Sequence, residues 1–488
     1  MLLKNKIKVD NPNYKWWVYS SVAVAILVQV GDQTGTSIAM PSMSSEFNAD
    51  IPTVQWVYLL YTLCISSLLL PMGRFSDIFG RKPVYCGGLV LFIIGGIIAG
   101  ISFNFTVLLL ARAVQGIAVS MILANGMALL VEAFPNSQRG VALGLYITVV
   151  GMGGLLGPLV SGFLVSEFGW RSFYVVSVLV GVIGLFLSII VVDYKSNNNF
   201  NKNKMIFDWL GAILFSSALA CFLLSMTFTH RLGWDNVFVF IGFILSLTLL
   251  ACFLWREKVF NSPMVELSLF RDPVIFVGLL GRFLTFMAGS SVYFLMPFYV
   301  IQVMGLTAFT AALLMTPMPI MMAIMGPLSG KLSDKIGTKW PATAGLITWG
   351  AAVLLGSTLS IHSSSFIVLI CCLLSGTGNG IFQSPNQSSV MSVVNPEKYG
   401  VLTALISMVR TAGNLTGTAI ATFVVVLTMS SMGQPPDLSA LESSIDMINN
   451  QEIKYAFTEG ITKAFKIGMV FLIIGLTLTA LGPNTKNR

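Results

Sequence analysis

The sequence predicts an all-α membrane protein of about fourteen transmembrane helices, ordered as six, two and six with two pseudo-symmetric halves. Three observations predict it. Of 488 residues, 55% are hydrophobic and 10% charged, with a mean hydropathy of +0.83, whereas an average soluble domain is about 25% charged. A bilayer core of about 30 Å is crossed by roughly 20 apolar residues, and such runs follow one another almost end to end. Finally, a ten-residue motif recurs at a constant offset of 257 residues.

The first six runs lie near residues 17–40, 54–73, 84–102, 106–132, 140–165 and 171–192. Residues 17–40 follow Lys4, Lys6, Lys8 and Lys15, as in a signal peptide, but the run is too long for one and is interrupted by Asp32; it is read as a retained first span. Val175–Val192 is apolar on every face, which excludes the alternating polarity of barrel strands. An Asn/Lys-rich stretch, Lys195–Lys204, is expected to be a flexible linker. Runs near 208–229 and 236–255 follow it, and six more lie near 274–304, 309–329, 341–360, 364–392, 400–428 and 465–482. The expected domains are therefore 1–194, 195–272 and 273–488. The sizeable outer loop falls near 432–460, where Leu438, Leu441, Ile445 and Ile448 share a helical face beside Glu442 and Asp446, as in an interfacial helix.

The net charge of +8 is explained by topology. An even span count puts both termini on one face, where 20 Lys/Arg fall, against 5 on the other face and 3 within spans. The positive-inside rule then makes both termini cytoplasmic, with the plasma membrane as the expected location. No nucleic-acid partner is needed. Cys64, Cys86, Cys221, Cys252, Cys371 and Cys372 all sit in expected spans without metal-ligand spacing, so no metal or cofactor is expected.

The repeated motif is Gly73-Arg-Phe-Ser-Asp77-Ile-Phe-Gly80-Arg81-Lys82, matched by Gly330-Lys-Leu-Ser-Asp334-Lys-Ile-Gly337-Thr-Lys339. Each copy follows the second span of its half on the cytoplasmic side, as a parallel duplication requires. Glycines permit tight turns, Asp77 suits a neighbouring helix N-terminus, and Arg81 and Lys82 suit acidic partners. Such a segment can lock and release a cytoplasmic gate. It resembles the signature of the major facilitator superfamily, and the fourteen-span layout is similar to that superfamily's drug:proton antiporter branch. The resemblance covers nearly the whole chain.

Further stretches extend it. Leu110-Ala-Arg112-Ala-Val-Gln115-Gly116 in span four is similar to the superfamily's Arg-bearing fourth-helix motif. An ionisable residue inside a span is costly and is a functional candidate. The best partner for Arg112 is Asp32, which shares a polar stripe with Gln29, Gln33 and Thr36 at helical spacing. Burial opposes the charged carboxylate while a nearby guanidinium favours it, so a motion that alters both would load and release a proton. A static pair that only holds the first half together is the competing reading. Span five carries Gly144, Gly153, Gly157, Pro158 and Gly162, resembling the branch's fifth-helix motif with Ser161 where Gly is usual. Small residues every fourth position allow close helix approach, and Pro158 favours a bend.

In the second half, Asn379, Gln383, Asn386 and Gln387, and then Ser407, Arg410 and Asn414, form polar stripes suited to a substrate cavity. Arg282 is a third internal cation, near enough to the cytoplasmic end to snorkel. Met318 and Met322 belong to a methionine stripe suited to varied apolar ligands. Some multidrug members of the branch it resembles carry a second membrane acid in this half; no Asp or Glu falls inside its expected spans here, so the resemblance does not extend to dicationic substrates.

These features together predict a secondary transporter, a monomer exporting amphipathic or hydrophobic small molecules against protons. A proton- or sodium-coupled uptake symporter would share the fold. A lipid-modifying enzyme is the remote alternative, since His230 and His362 are solitary in expected outer loops. No phosphate-binding Gly-x-x-x-x-Gly-Lys-Ser/Thr loop supports ATP-driven transport.

Overall fold

Runs of Leu, Ile, Val, Phe and Ala satisfy their backbone polar groups internally when helical, the one solution open to an isolated segment in lipid. The computed structural model describes residues 13–49, 51–191, 207–232, 236–260, 262–434 and 451–483, and contains no strand among them. Linker residues 195–204 and the loop face Leu438–Ile448 lie outside the described residues, as do Lys4, Lys6 and Lys8. Twelve described helices are long and apolar enough to cross a membrane. Outside those twelve stand the 34-residue helix carrying Gln29, Asp32 and Gln33 and the 18-residue helix Lys339–Gly356.

Two compact units emerge, residues 1–271 with 393–408, and residues 272–392 with 409–488. In the first, α1 (Tyr14–Phe47), the short α2 (Ile51–Val54), α3 (Trp56–Phe79), α4 (Arg81–Gly100), α5 (Phe105–Ala133), α6 (Arg139–Phe168) and α7 (Trp170–Val191) are followed by α8 (Trp209–Leu232) and α9 (Val237–Val259). Helix α1 packs on α6 and α7, α5 is held between α3 and α4, and the α8–α9 pair leans on α3. Close approach between α1 and α6 is written in small residues. An added Cβ at Gly153 would stand 2.8 Å from the Cβ of Val30, one at Gly157 would stand 2.6 Å from the Gly31 carbonyl, and the Ser161 hydroxyl donates to the Gly35 carbonyl at 2.7 Å. Pro158 lies within α6, which runs unbroken past it.

The second unit contains α10 (Pro273–Phe298), extended by a π turn at Tyr299–Val303, α11 (Ala308–Met315), α12 (Pro317–Ile336), α13 (Lys339–Gly356), α14 (Ser365–Ser392), the larger part of α15 (Tyr399–Ser431), and α16 (Gln451–Leu481). Helix α14 packs against α12 and α13, and α16 against α10 and α13. Trp349, Phe382, Phe457 and Phe465 are buried at the centre of its core.

Two expectations are corrected. Residues Gln451–Gly460 are helical rather than loop, because Ala456, Phe457, Ile461 and Phe465 fall on one face and are buried together. His230 lies in the last turns of α8 rather than in an outer loop.

The α13–α14 crossing is a close backbone seam of the second unit, with an added Cβ at Gly345 only 2.6 Å from the Phe382 nitrogen. A Gly345→Ala substitution therefore forces backbone apart and should cost about 1–3 kcal/mol of stability, the usual penalty of overpacking. Thermal unfolding of the purified protein in detergent checks this: a clear fall in Tm is expected.

Candidate functional site

In the first unit the polar stripe of α1 meets the Arg-bearing face of α5. Arg112 and Asp32 are both fully buried, and the guanidinium Nη1 donates to Asp32 Oδ2 at 2.7 Å. Nη1 also donates to Gln115 Oε1 at 2.8 Å, and Nε donates to the Val57 carbonyl at 3.3 Å. Thr36 Oγ1 donates to the backbone carbonyl of Asp32 at 2.7 Å. Two aromatic rings flank the cation, Tyr61 with its centroid 4.1 Å from Arg112 Cζ and Tyr174 at 5.6 Å.

Glycines set this geometry. Gln115 lies on Gly95 and Gly96, where an added Cβ at Gly95 would stand 2.6 Å from Gln115 Cγ. At Gly116 an added Cβ would stand 2.7 Å from the Tyr61 carbonyl, so α3 approaches α5 closely enough to lay Tyr61 over Arg112. Several buried polar atoms around the pair, Asp32 Oδ1, Arg112 Nη2, Gln115 Nε2 and Tyr61 OH, have no hydrogen-bond partner among the described residues. Gln29 on the same stripe is buried with its Oε1 likewise unmet, and Gln33 is half-buried. Buried polar groups are normally satisfied, so this cluster is a place for water or a polar ligand group.

The repeated motif is less a loop than a helix junction. Gly80 and Gly337 sit at φ +102° and +93°, each donating its N–H to the serine four residues earlier, at 2.9 Å to Ser76 and 3.0 Å to Ser333. Those serines donate back to Gly73 and Gly330 at 2.7 and 2.8 Å. The two copies thus share local geometry as well as sequence. In the first copy Asp77 Oδ1 accepts from Arg81 Nη2 at 2.9 Å and from the Gly400 N–H at 3.1 Å, while Oδ2 accepts from the Val401 N–H at 3.0 Å. The carboxylate therefore caps the first turn of α15, where free N–H groups and the helix dipole favour a negative charge. Arg81 also bonds Glu132 and the Pro396 carbonyl, and Lys82 donates to the Ile189 carbonyl at 3.1 Å. Asp334 is half-buried and Lys339 opens α13.

In the second unit Arg282 is buried rather than snorkelling, with Nη1 and Nη2 at long range from Asn386 Oδ1 (3.5 Å) and Gln383 Oε1 (3.4 Å), and Phe286 below it at 5.0 Å. Gln383 donates to Asn379, whose amide donates to Tyr293 OH at 3.0 Å. Gln387 is buried with Oε1 unmet, and Arg410 and Asn414 are half-buried on α15. Met318 and Met322 are buried in the seam between α12 and α14, against Gly376 and Gly380. Tyr61, Tyr174 and Glu132 were not singled out by sequence reasoning. The available signal was Tyr61 and Tyr174 as polar-tipped aromatics inside expected spans, and Glu132 as the one acid of span four.

Comparison with known proteins follows from this geometry. A profile describing the Major Facilitator Superfamily matches residues 22–228 and 209–418. The riboflavin transporter RibZ of Clostridioides difficile is 29% identical over 405 residues, 83% of this chain and 87% of that protein. The multidrug resistance protein Stp of Mycobacterium tuberculosis (strain CDC 1551 / Oshkosh) is 28% identical over 400 residues, 82% and 74% of the two chains. The lincomycin resistance protein LmrB of Bacillus subtilis is 26% identical over 478 residues, 98% and 97%. Among solved structures, the proton:xylose symporter XylE superposes with a TM-score of 0.63 at 15% identity, covering 98% of each chain, a likeness of fold.

Removing one member of a buried ion pair leaves a bare charge and costs about 3–5 kcal/mol, more than replacing both. Arg112→Leu alone is therefore expected to destabilise the protein more than Arg112→Leu combined with Asp32→Asn. A double-mutant cycle on thermal unfolding measures this, and additive losses would show that the two groups do not interact.

Proposed function

Because the chain belongs to the major facilitator superfamily, we propose that it is a secondary transporter, not an enzyme, that exports amphipathic or hydrophobic small molecules in exchange for protons. The observation that carries the reading is the buried Asp32–Arg112 pair with its unmet polar atoms. An acid buried at membrane depth beside a cation and unmet polar atoms is a group whose charge changes when its surroundings do. Asp32 is the proton site, and Arg112 and Gln115 set its surroundings. A membrane potential contributes about 2.3 kcal/mol per charge per 100 mV to such an exchange.

The remaining assignments follow the same reading. Helices α1 and α13 join the twelve as spans, giving fourteen in the order six, two, six, in a plasma membrane with both termini cytoplasmic. Gly73–Lys82 and Gly330–Lys339 act in the cytoplasmic gate, where the Asp77 cap on α15 makes and breaks. Gly144, Gly153, Gly157, Pro158 and Gly162 form the helix against which α1 moves. Arg282, Gln383, Asn386, Gln387, Arg410 and Asn414 contribute to substrate recognition with Gln29, Gln33 and Thr36. The protein acts as a monomer. Export is supported by relatives named for resistance to lincomycin and to multiple drugs. A riboflavin transporter among the relatives supports riboflavin as a second candidate cargo.

Everted membrane vesicles with an imposed acid interior test this with lincomycin and riboflavin as cargo. Wild type is expected to accumulate at least one of them. Asp32→Asn should fold but lose gradient-driven accumulation by at least about fivefold, the lower end of coupling between two sites. Undiminished gradient-driven transport by Asp32→Asn would overturn the assignment.

A further inference from the structure

The surroundings of Arg112 contain more than a counter-ion. On one side stands the carboxylate of Asp32 from α1. On the others stand the faces of Tyr61 from α3 and Tyr174 from α7, the Val57 carbonyl from α3 and the Gln115 side-chain carbonyl from α5 itself. Aromatic faces are negative and attract a guanidinium, the more so when water is excluded, and all three side chains are fully buried. Helix α4 meets this place at Gly95 and Gly96, through Gln115, and at Ala99, which packs in one cluster with Val57 and Tyr174. The titratable groups facing the cation are thus Asp32, Tyr61 and Tyr174, with Tyr58 one turn before Tyr61.

A static ion pair needs no second set of stabilisers. When an acid gives up its charge beside a buried cation, that cation is left uncompensated, which is the costly state of a buried pair. Here the cation has other support that does not depend on Asp32. We infer that Tyr61 and Tyr174 form an aromatic clamp that holds the Arg112 charge while Asp32 is neutral, making them the positioning residues that let the acid change protonation state. The inference rests on the reading of Asp32 as a proton site, and it adds what makes protonation affordable. Gly116, which admits the Tyr61 backbone to α5, belongs to the same device.

The clamp is tested by thermal unfolding of the full-length protein in lipid nanodiscs, in which Asp32→Asn stands for the neutral acid. Tyr61→Leu removes the ring and Tyr61→Phe keeps it. The fall in Tm caused by Tyr61→Leu should be at least about twofold larger in the Asp32→Asn background than in wild type, because there the ring is the main support of the cation. Tyr61→Phe should show no such excess. Tyr174→Leu, whose ring is farther from the cation, should show the same synergy in smaller measure, and it serves if Tyr61→Leu alone fails to fold. A double variant that fails to fold while both single variants fold counts as synergy. Equal Tm losses in both backgrounds, for Leu at both positions, would reduce the tyrosines to packing and overturn the inference. That result leaves the transport test of Asp32→Asn untouched, so the two readings fail separately.

Discussion

A fully buried guanidinium is the constraint around which the first unit is built. Arg112 is fully buried in a helix whose other buried residues are mostly apolar, with Gln115, Ser120 and Asn125 the polar exceptions, and a charge in that position is costly unless it is partnered. Those partners come from four helices. Asp32 requires α1 to lie across α5, and the Gly153, Gly157 and Ser161 series on α6 holds α1 in place. Tyr61 and Val57 require α3 to approach α5, which Gly116 permits. Tyr174 requires α7. The small residues that look like generic membrane packing are in this unit the means of gathering ligands for one cation.

The junction at Gly80 applies the same economy at the membrane edge. Asp77 answers three donors at once, Arg81 and two N–H groups of α15, and Arg81 in turn binds Glu132 and the Pro396 carbonyl. Residues 393–408 consequently group with the first unit although α15 continues into the second. The matched Gly337 junction repeats the backbone geometry, with the same serine bridge. Duplication preserved the turn, while Arg81 has become Thr338 in the second copy. An ion-pair lock of the first kind has no counterpart at that position.

Much of this was legible in the sequence, for definable reasons. Apolar runs of span length specify helices because lipid leaves a chain segment little alternative, and a lone acid and a lone arginine at membrane depth must find each other or pay heavily. The Asp32–Arg112 pair could be read that way, and the Gly153, Gly157 and Ser161 series announced a close helix approach without naming α1 as its partner. Tyr61 and Tyr174 could not, because aromatics inside spans are ordinary core residues until the rotation of their helices is known. Arg282 illustrates the same limit, since its sequence position suited snorkelling and its packing against Phe286 and the amides of α14 buries it. The end of the outer loop escaped notice because Gln451–Gly460 mixes charged residues with a buried Ala456–Phe457–Ile461 face.

The central claim is that the carboxyl of Asp32 exchanges a proton while Arg112 stays charged. Infrared difference spectroscopy of the protein in lipid nanodiscs, titrated with pH, observes that group directly through the carbonyl stretch of a protonated carboxylic acid. The account predicts a band that grows as pH falls, is absent from Asp32→Asn, and persists in Asp77→Asn. Identical carboxylic-acid bands in wild type and Asp32→Asn across the titration would contradict it, leaving the pair as a fixed structural bridge.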